Sequence, residues 1–177
     1  MDGTASAADC ALLLFRLVLA LVFIAHGLNH VFGGGKIEGT GRWFDTLGMR
    51  PGLLHAWLAS LTEIGAGVLM GLGLLTPLAA AAMLGVTVVA LTTHHIRNGF
   101  FTFRPGEGYE YVLVLATCAI VIGALGGGGW SVDSALGVFG GGWTQLILTA
   151  AVGTGAAALQ LIVFWRPGRA HDTEPQT

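Results

Sequence analysis

Charged side chains are scarce in this sequence. Eight Lys and Arg and ten Asp and Glu make up 10% of its 177 residues, whereas hydrophobic residues make up 54%. Soluble domains carry about 25% charged residues, so this chain has too few to cover a water-facing surface. The composition predicts an integral membrane protein in contact with the lipid bilayer. The net charge of −2 argues against nucleic acid as a partner, because phosphate binding requires clustered Lys and Arg.

Cysteine is also scarce. Cys10 and Cys118 are the two cysteines, they lie far apart, and no CxxC motif is present. This pattern argues against thioredoxin-like dithiol chemistry and against a zinc ribbon. Cys118 stands in an apolar run, where a thiol is expected to serve as a small packing residue.

Long apolar runs, by contrast, fill most of the chain. A helix needs about 20 apolar residues to cross the hydrocarbon core of a bilayer, and five runs approach this length. The predicted spans are residues 10–32, 53–75, 77–96, 109–125 and 143–165, with an external tail at 1–9 and a second tail at 166–177. The sequence therefore predicts a single all-α domain that is a polytopic membrane helix bundle.

The basic residues fall on one side of such a bundle. Arg16 lies inside the first span, and the other seven follow spans one, three and five. They are Lys36, Arg42, Arg50, Arg97, Arg104, Arg166 and Arg169. The positive-inside rule then places the N-terminus outside and the C-terminus in the cytoplasm.

Imidazole and carboxyl groups concentrate on the same side. Glu63 lies about 15 Å into span two, near the bilayer midplane. A charge at that depth costs about 2.5–3.5 kcal/mol, which makes Glu63 a functional candidate. The other members of the cluster are His26 and His30 in span one, His94 and His95 at the end of span three, and Glu107 and Glu110 at the start of span four.

Helix geometry limits which of these groups can share a site. At about 100° per residue, Arg16, His26 and His30 lie on one face of span one, which must point into the bundle. His94 and His95 are about 100° apart on a helix, so they are not expected to face the same site. His55 and His171 are predicted to be surface residues.

Arg16 has two candidate partners. By helix rise it lies within about 5–10 Å of the depth of Glu63, so an ion pair between them is within reach. Asp133, in the Gly-rich loop at residues 123–142, is the competing partner.

Three chemistries fit the cluster. The first is metal or haem ligation, for which His26, His30, His94 and Glu63 are the candidate ligands. The second is a quinone pocket, in which an apolar slot holds the ring and His or Glu side chains supply hydrogen bonds and protons. The third is a proton or ion pathway through the same residues.

Short motifs recur along residues 12–135 in a fixed order. Arg16 comes early in span one, "HG" follows at 26–27, and "EIGAGVLMGLGLLTP" fills 63–77. "NGFF" at 98–101 precedes Glu110, and "SVD" lies at 131–133. With these motifs in this order, the chain resembles the DoxX family of small bacterial membrane proteins.

The resemblance implies a four-helix DoxX-like core, to which this chain adds a fifth C-terminal transmembrane helix, in a bacterial cytoplasmic membrane. Members are associated with redox functions. They are similar to a subunit of thiosulfate:quinone oxidoreductase, to proteins of thiol and oxidative-stress defence, and to quinone-responsive proteins. The residues that recur in the motifs are Arg16, His26, Glu63, Glu110 and Asp133.

The sequence departs from the family pattern in three respects. A Lys often follows the HG motif closely, whereas here His30 stands nearby and Lys36 comes later. The fifth span is an addition, and the missing cysteine pair argues against direct dithiol chemistry.

Two functions are predicted on these grounds. The first is a quinone-linked redox subunit of a membrane oxidoreductase, with Glu63 and His26 in the catalytic role. Arg16, His30, His94 and Glu110 then line the quinone pocket. The alternative is a non-catalytic membrane anchor or assembly partner for a soluble redox or stress-defence enzyme, which acts through loops 33–52 and 97–108. Both imply a protein partner in a membrane redox complex, and small residues at 67, 71, 151 and 155 also suit a homo-oligomer.

Overall fold

The computed structural model describes residues 3–167, and Arg169 and His171 lie outside this range. Within it the chain is helical. The helices are α1 (Gly3–Phe32), α2 (Lys36–Thr46), α3 (Gly52–Leu72), α4 (Thr76–Thr93), a 3-10 helix (His95–Asn98), α5 (Glu110–Leu125), α6 (Val132–Leu136) and α7 (Trp143–Phe164). The predicted all-α membrane bundle is confirmed. Residues 3–9, predicted as a tail, are the first turns of α1.

Four helices are long and apolar enough to cross a bilayer. They are Ala7–Phe32, Gly52–Leu72, Thr76–Thr93 and Trp143–Phe164. The fourth predicted span is the shorter helix α5, which has 16 residues and is therefore about 24 Å long. Loop 33–52 contains the 11-residue helix α2.

The loops meet at two ends of the bundle. At one end the backbone N–H of Arg166 donates to Gly48 O over 2.7 Å, and the ring of Trp43 packs against that of His94. At the other end the N–H of Asp133 donates to Gly73 O over 2.9 Å, and that of Gly142 donates to Ala124 O over 2.7 Å. Helix α5 therefore runs between the same two ends as the four longer helices.

We call the first of these ends the basic end. It carries every Lys and Arg of residues 3–167 except Arg16: Lys36, Arg42, Arg50, Arg97, Arg104 and Arg166. The sequence prediction that these side chains share one side of the bundle thus agrees with the order of the helices.

Helix packing closes three sides of a four-helix core. Helix α1 packs on α3, α3 on α4, and α4 on α5, while α7 packs on α4 and α5. The main apolar core joins α1, α3, α4 and α5 and includes Phe23, Met70, Met83 and Ile122. A second core lies at the basic end and includes Phe44, Met49 and Ala157. Helix α2 belongs to this second core and folds back against α3.

Candidate functional site

A cavity of about 1130 Å³ runs through the bundle from the basic end, and its lining reaches Leu78 near the start of α4. Six helices contribute to its lining, namely α1 to α5 and α7, and most of the lining surface is apolar. Ligand pockets usually have volumes of about 300–1,000 Å³, so a small organic molecule fits. The side chains in its lining that bear imidazole, carboxyl, phenol or amide groups are His26, Asn29, His30, His55, Glu63, His94, His95, Glu107, Tyr111 and Gln160.

His30 and Glu63 meet inside this cavity. His30 Nδ1 lies 3.3 Å from Glu63 Oε2, and this is the one ion pair among residues 3–167. Although the two atoms are close, they do not form a hydrogen bond, and neither has another hydrogen-bond partner among the described residues. Glu63 is only 6% exposed. Buried polar atoms without a partner are uncommon in proteins and mark a place where a ligand or water is expected to bind.

A glycine brings the two helices together at this level. A Cβ on Gly27 would lie 2.7 Å from Ile64 Cγ1 and 2.8 Å from Ser60 O, so no larger residue fits there without displacing α1 from α3. His30 stands almost one turn further along α1 than Gly27. The close contact at Gly27 therefore places the His30 ring beside Glu63.

Helix α2 lines the cavity at the basic end. The Thr40 hydroxyl donates to His30 O over 2.9 Å. The ring of Phe44 meets that of His30 edge-on, with the centroids 6.3 Å apart. From the sequence, loop 33–52 was predicted only as a docking surface for a partner. Its apolar residues Trp43, Phe44 and Leu47 line the cavity instead.

His94 and His95 both line the cavity where α4 ends, and we call this part of the cavity its mouth. Their shared position corrects the prediction that they face different sites. Helix α4 ends at Thr93, and His95 begins a 3-10 helix, so the spacing of 100° per residue does not apply to them. His95 Nδ1 lies 2.9 Å from Glu107 O. Burial lowers the pKa of His94 below its ordinary value of 6.5, and the charge of His95 lowers it further, whereas Glu107 raises it.

His26 lies on the side wall of the cavity. Its side chain lines the cavity and is exposed. The His26 ring stacks loosely on that of Tyr111 in α5, with the centroids 6.3 Å apart and the planes at 28°. Tyr111 was not predicted as a site residue, although it stands in the first turn of the fourth predicted span.

Arg16 does not belong to this site, and the predicted Arg16–Glu63 ion pair is absent from the described residues. Its guanidinium is fully buried near the opposite end of the bundle. It donates to Met70 O over 3.4 Å, to Gly71 O over 3.3 Å and to Trp130 O over 2.6 Å. Gly71 O lies past the last helical N–H donors of α3, while Met70 O also accepts from the N–H of Gly73 over 3.1 Å. Together with Trp130 O, these carbonyls hold the guanidinium about two turns away from Glu63.

Glu110 is also absent from the cavity lining, which corrects its assignment to the pocket. Its Oε1 atom accepts a hydrogen bond of 3.0 Å from the backbone N–H of Thr102. The backbone N–H of Glu110 donates to Phe100 O over 2.9 Å. Glu110 therefore stabilises the loop that precedes α5.

His55, predicted to be a surface residue, is buried instead. It is 1% exposed, its Nδ1 lies 3.0 Å from Gln160 Nε2, and its ring packs edge-on against Phe164. It lies one turn into α3, where the returning end of α7 covers it. The sequence held no signal for this contact, since it joins residues more than 100 positions apart.

The predicted metal ligands do not form a metal centre. No group of three or more His, Cys, Asp or Glu side chains within residues 3–167 is arranged to hold a metal ion. His26, His30, His94 and Glu63 are spread along the cavity from its side wall to its mouth. The geometry instead presents separate polar groups along an apolar chamber.

Part of the chain matches the sequence model of a known family. The sequence model described as DoxX matches residues 11–96, which include α3, α4 and all but the first turns of α1. This match confirms the family resemblance. No curated protein and no solved structure matches the chain.

Proposed function

Residues 11–96 of this chain belong to the DoxX family, and on that premise we propose that the protein is the quinone-binding subunit of a membrane redox system. The chain is a multi-pass membrane protein with a largely apolar cavity. A quinone needs an apolar slot for its ring and polar side chains at its carbonyl oxygens. Both are present in the same chamber.

One observation carries the proposal. His30 Nδ1 and Glu63 Oε2 lie 3.3 Å apart, and both atoms are buried without a hydrogen-bond partner among the described residues. A quinone carbonyl oxygen accepts a hydrogen bond from an imidazole N–H or from a protonated carboxyl group. The pair is therefore suited to bind the quinone head and to exchange protons with it.

The residues around the pair have separate tasks. Reduction of a quinone to a quinol takes up two electrons and two protons. The proposal assigns the protons to Glu63 and His30 and the electrons to a partner protein. His94, His95 and Glu107 at the mouth are placed to return protons from water to the cavity. His26 on the side wall contacts the ligand where it enters.

The proposal includes an orientation. The basic end carries all the described Lys and Arg residues except Arg16, so the positive-inside rule places it in the cytoplasm and the opposite end outside. The His30–Glu63 pair then lies in the cytoplasmic half of the bilayer, and its protons come from the cytoplasm.

Quinone binding to the purified protein tests the proposal. We expect decylubiquinone to bind in lipid nanodiscs and to give an oxidised-minus-reduced difference spectrum in the ultraviolet. Glu63→Gln keeps the shape of the side chain but removes the exchangeable proton, and it should weaken binding by about tenfold or more. Glu38→Gln is the matched control, because Glu38 is exposed on α2 and does not line the cavity. Failure of the unmodified protein to bind the quinone would overturn the proposal.

A second function is favoured by the loop between α4 and α5. Phe103 is 81% exposed there, and the guanidinium of Arg104 lies 5.3 Å from the centroid of the Phe101 ring. Exposed aromatic and Arg side chains are enriched where proteins bind one another. This loop suits the docking of a soluble redox or stress-defence enzyme, for which the chain would be a membrane anchor.

A pair of variants separates the two functions. Under the anchoring function, Phe103→Ser with Arg104→Gln should abolish the cellular function, while Glu63→Gln should preserve it. Under the quinone function the outcome is reversed. Expression and thermal stability measured for each variant show whether a loss reflects unfolding.

A further inference from the structure

Three sides of the four-helix core are closed by packed helices, but the fourth side is not. Helix α1 packs on α2 and α3, and α5 packs on α4 and α7. Among the described elements, α1 and α5 do not form such a packed pair. Even so, both line the cavity, through Val22 and His26 on α1 and through Tyr111 and Leu115 on α5. We call these four residues the side opening.

Two side chains at the side opening are exposed as well as cavity-lining. His26 lines the cavity and is exposed, and Tyr111 lines it and is 40% exposed. Their ring centroids are 6.3 Å apart, near the outer limit for an aromatic pair. Exposed side chains change rotamer within nanoseconds, so movement of either ring joins the cavity to the bilayer.

The side opening lies at a depth where lipid chains begin. His26 is six residues from the end of α1 at Phe32, or about 9 Å along the helix. Tyr111 is the second residue of α5. With the basic end in the cytoplasm, both rings lie near the boundary between headgroups and acyl chains in the inner leaflet. His and Tyr side chains suit that boundary, because each has an apolar body and a polar tip.

We infer that the ligand of this cavity carries a long apolar chain, which passes between α1 and α5 at the side opening while its polar head reaches His30 and Glu63. This inference rests on the proposed function and specifies the ligand: an isoprenoid or alkyl quinone, taken from the inner leaflet. The head never leaves the membrane in this arrangement. A quinone without a chain has no use for the side opening and reaches the pair through the mouth at His95 and Glu107.

Two quinones with the same head test the inference. Decylubiquinone has a ten-carbon chain, and ubiquinone-0 has none. Val22→Trp narrows the side opening without changing a polar group. It should weaken binding of decylubiquinone by about tenfold, the loss expected when about two methylene groups leave an apolar channel. Binding of ubiquinone-0 should change by less than about twofold. Binding is measured in nanodiscs by extraction of the retained quinone, with empty nanodiscs subtracted.

Matched controls come from neighbouring residues. Leu21→Trp adds the same ring on α1 at a residue that is 70% exposed and does not line the cavity, so it should leave both affinities unchanged. Leu115→Trp repeats the test from α5, with Val114→Trp as its control, in case Val22→Trp does not fold.

The outcomes separate the inference from the function on which it rests. Equal losses for the two quinones, or no loss for decylubiquinone, would overturn the side opening and leave quinone binding intact. Failure of both quinones to bind the unmodified protein would overturn the side opening and the proposed function together. A loss confined to decylubiquinone, absent from the controls, supports the inference.

Discussion

Arg16 and Asp133 are both buried near the end of the bundle opposite the basic end, and each binds backbone groups instead of the other. Arg16 donates to Met70 O, Gly71 O and Trp130 O. Asp133 accepts hydrogen bonds of 2.7 and 2.8 Å from the N–H groups of Leu75 and Thr76. The cation thus satisfies carbonyls at the end of α3, and the carboxylate satisfies donors at the start of α4.

The role of Arg16 is therefore expected to be structural. Arg16→Met should lower the free energy of unfolding by about 3 kcal/mol or more, because buried carbonyl groups lose their donors. Denaturation in detergent measures this change. Arg42→Met, on the exposed face of α2, is the control and should have little effect. A stable Arg16→Met protein that has lost quinone binding would instead assign Arg16 to the site.

The contact between α1 and α3 depends on Gly67 as well as on Gly27. A Cβ on Gly67 would lie 2.6 Å from Ile24 Cγ1 and 3.0 Å from Ala20 O, whereas a Cβ on Gly65 meets no atom within 4 Å. Gly67→Ala should destabilise the protein by about 1–3 kcal/mol through overpacking. Gly65→Ala in the same helix should be neutral or slightly stabilising. Equal unfolding free energies for the two variants would contradict this packing.

His30 and Glu63 are expected to act as a unit. His30→Gln and Glu63→Gln should each weaken quinone binding by about tenfold or more. The double variant should lose little beyond the larger single loss, because each change already removes the shared proton. Affinities of the four proteins in nanodiscs give the coupling energy. Fully additive losses would show that the two residues contact the ligand independently.

His94 is expected to make stability depend on pH. Its pKa is lowered below 6.5 by burial and by His95, against the opposing effect of Glu107. The unfolded chain therefore binds a proton at a higher pH than the folded protein does, and stability falls as the pH drops through 6.5 toward the lower folded value. In His94→Gln the unfolding temperature should change less between about pH 7.5 and pH 5.5. An unchanged difference from the unmodified protein across that range would exclude His94 as a source.

Prediction from sequence worked best where the signal was local. The length of each apolar run, the start of α4 at Pro77 and the position of the basic residues in the loops can each be read from residues close together in the chain. Helix rise also placed His26, His30 and Glu63 in the same half of the bundle, since each depth depends on counting residues within one helix. The function of those residues stays a prediction.

Prediction failed where helices had to be matched with one another or where a helix ended. Arg16 had the reach to pair with Glu63, but carbonyls of the α3 end and of Trp130 lie closer. His94 and His95 were separated by a helical angle that ceases to apply after Thr93. His55 was assigned to the surface because its cover, Gln160 and Phe164, comes from the far end of the chain.

The sequence by itself determined that this chain enters a membrane and which of its polar groups fall in the same half of the bundle. Hydrophobic length and helical rise are properties of single segments, and the bilayer fixes the scale for both. Only the tertiary structure decided that α2 closes the cavity, that α1 and α5 stay apart beside His26 and Tyr111, and that Glu63 meets His30. Those features depend on which side chains interlock between helices, and that choice is made by packing across the whole bundle.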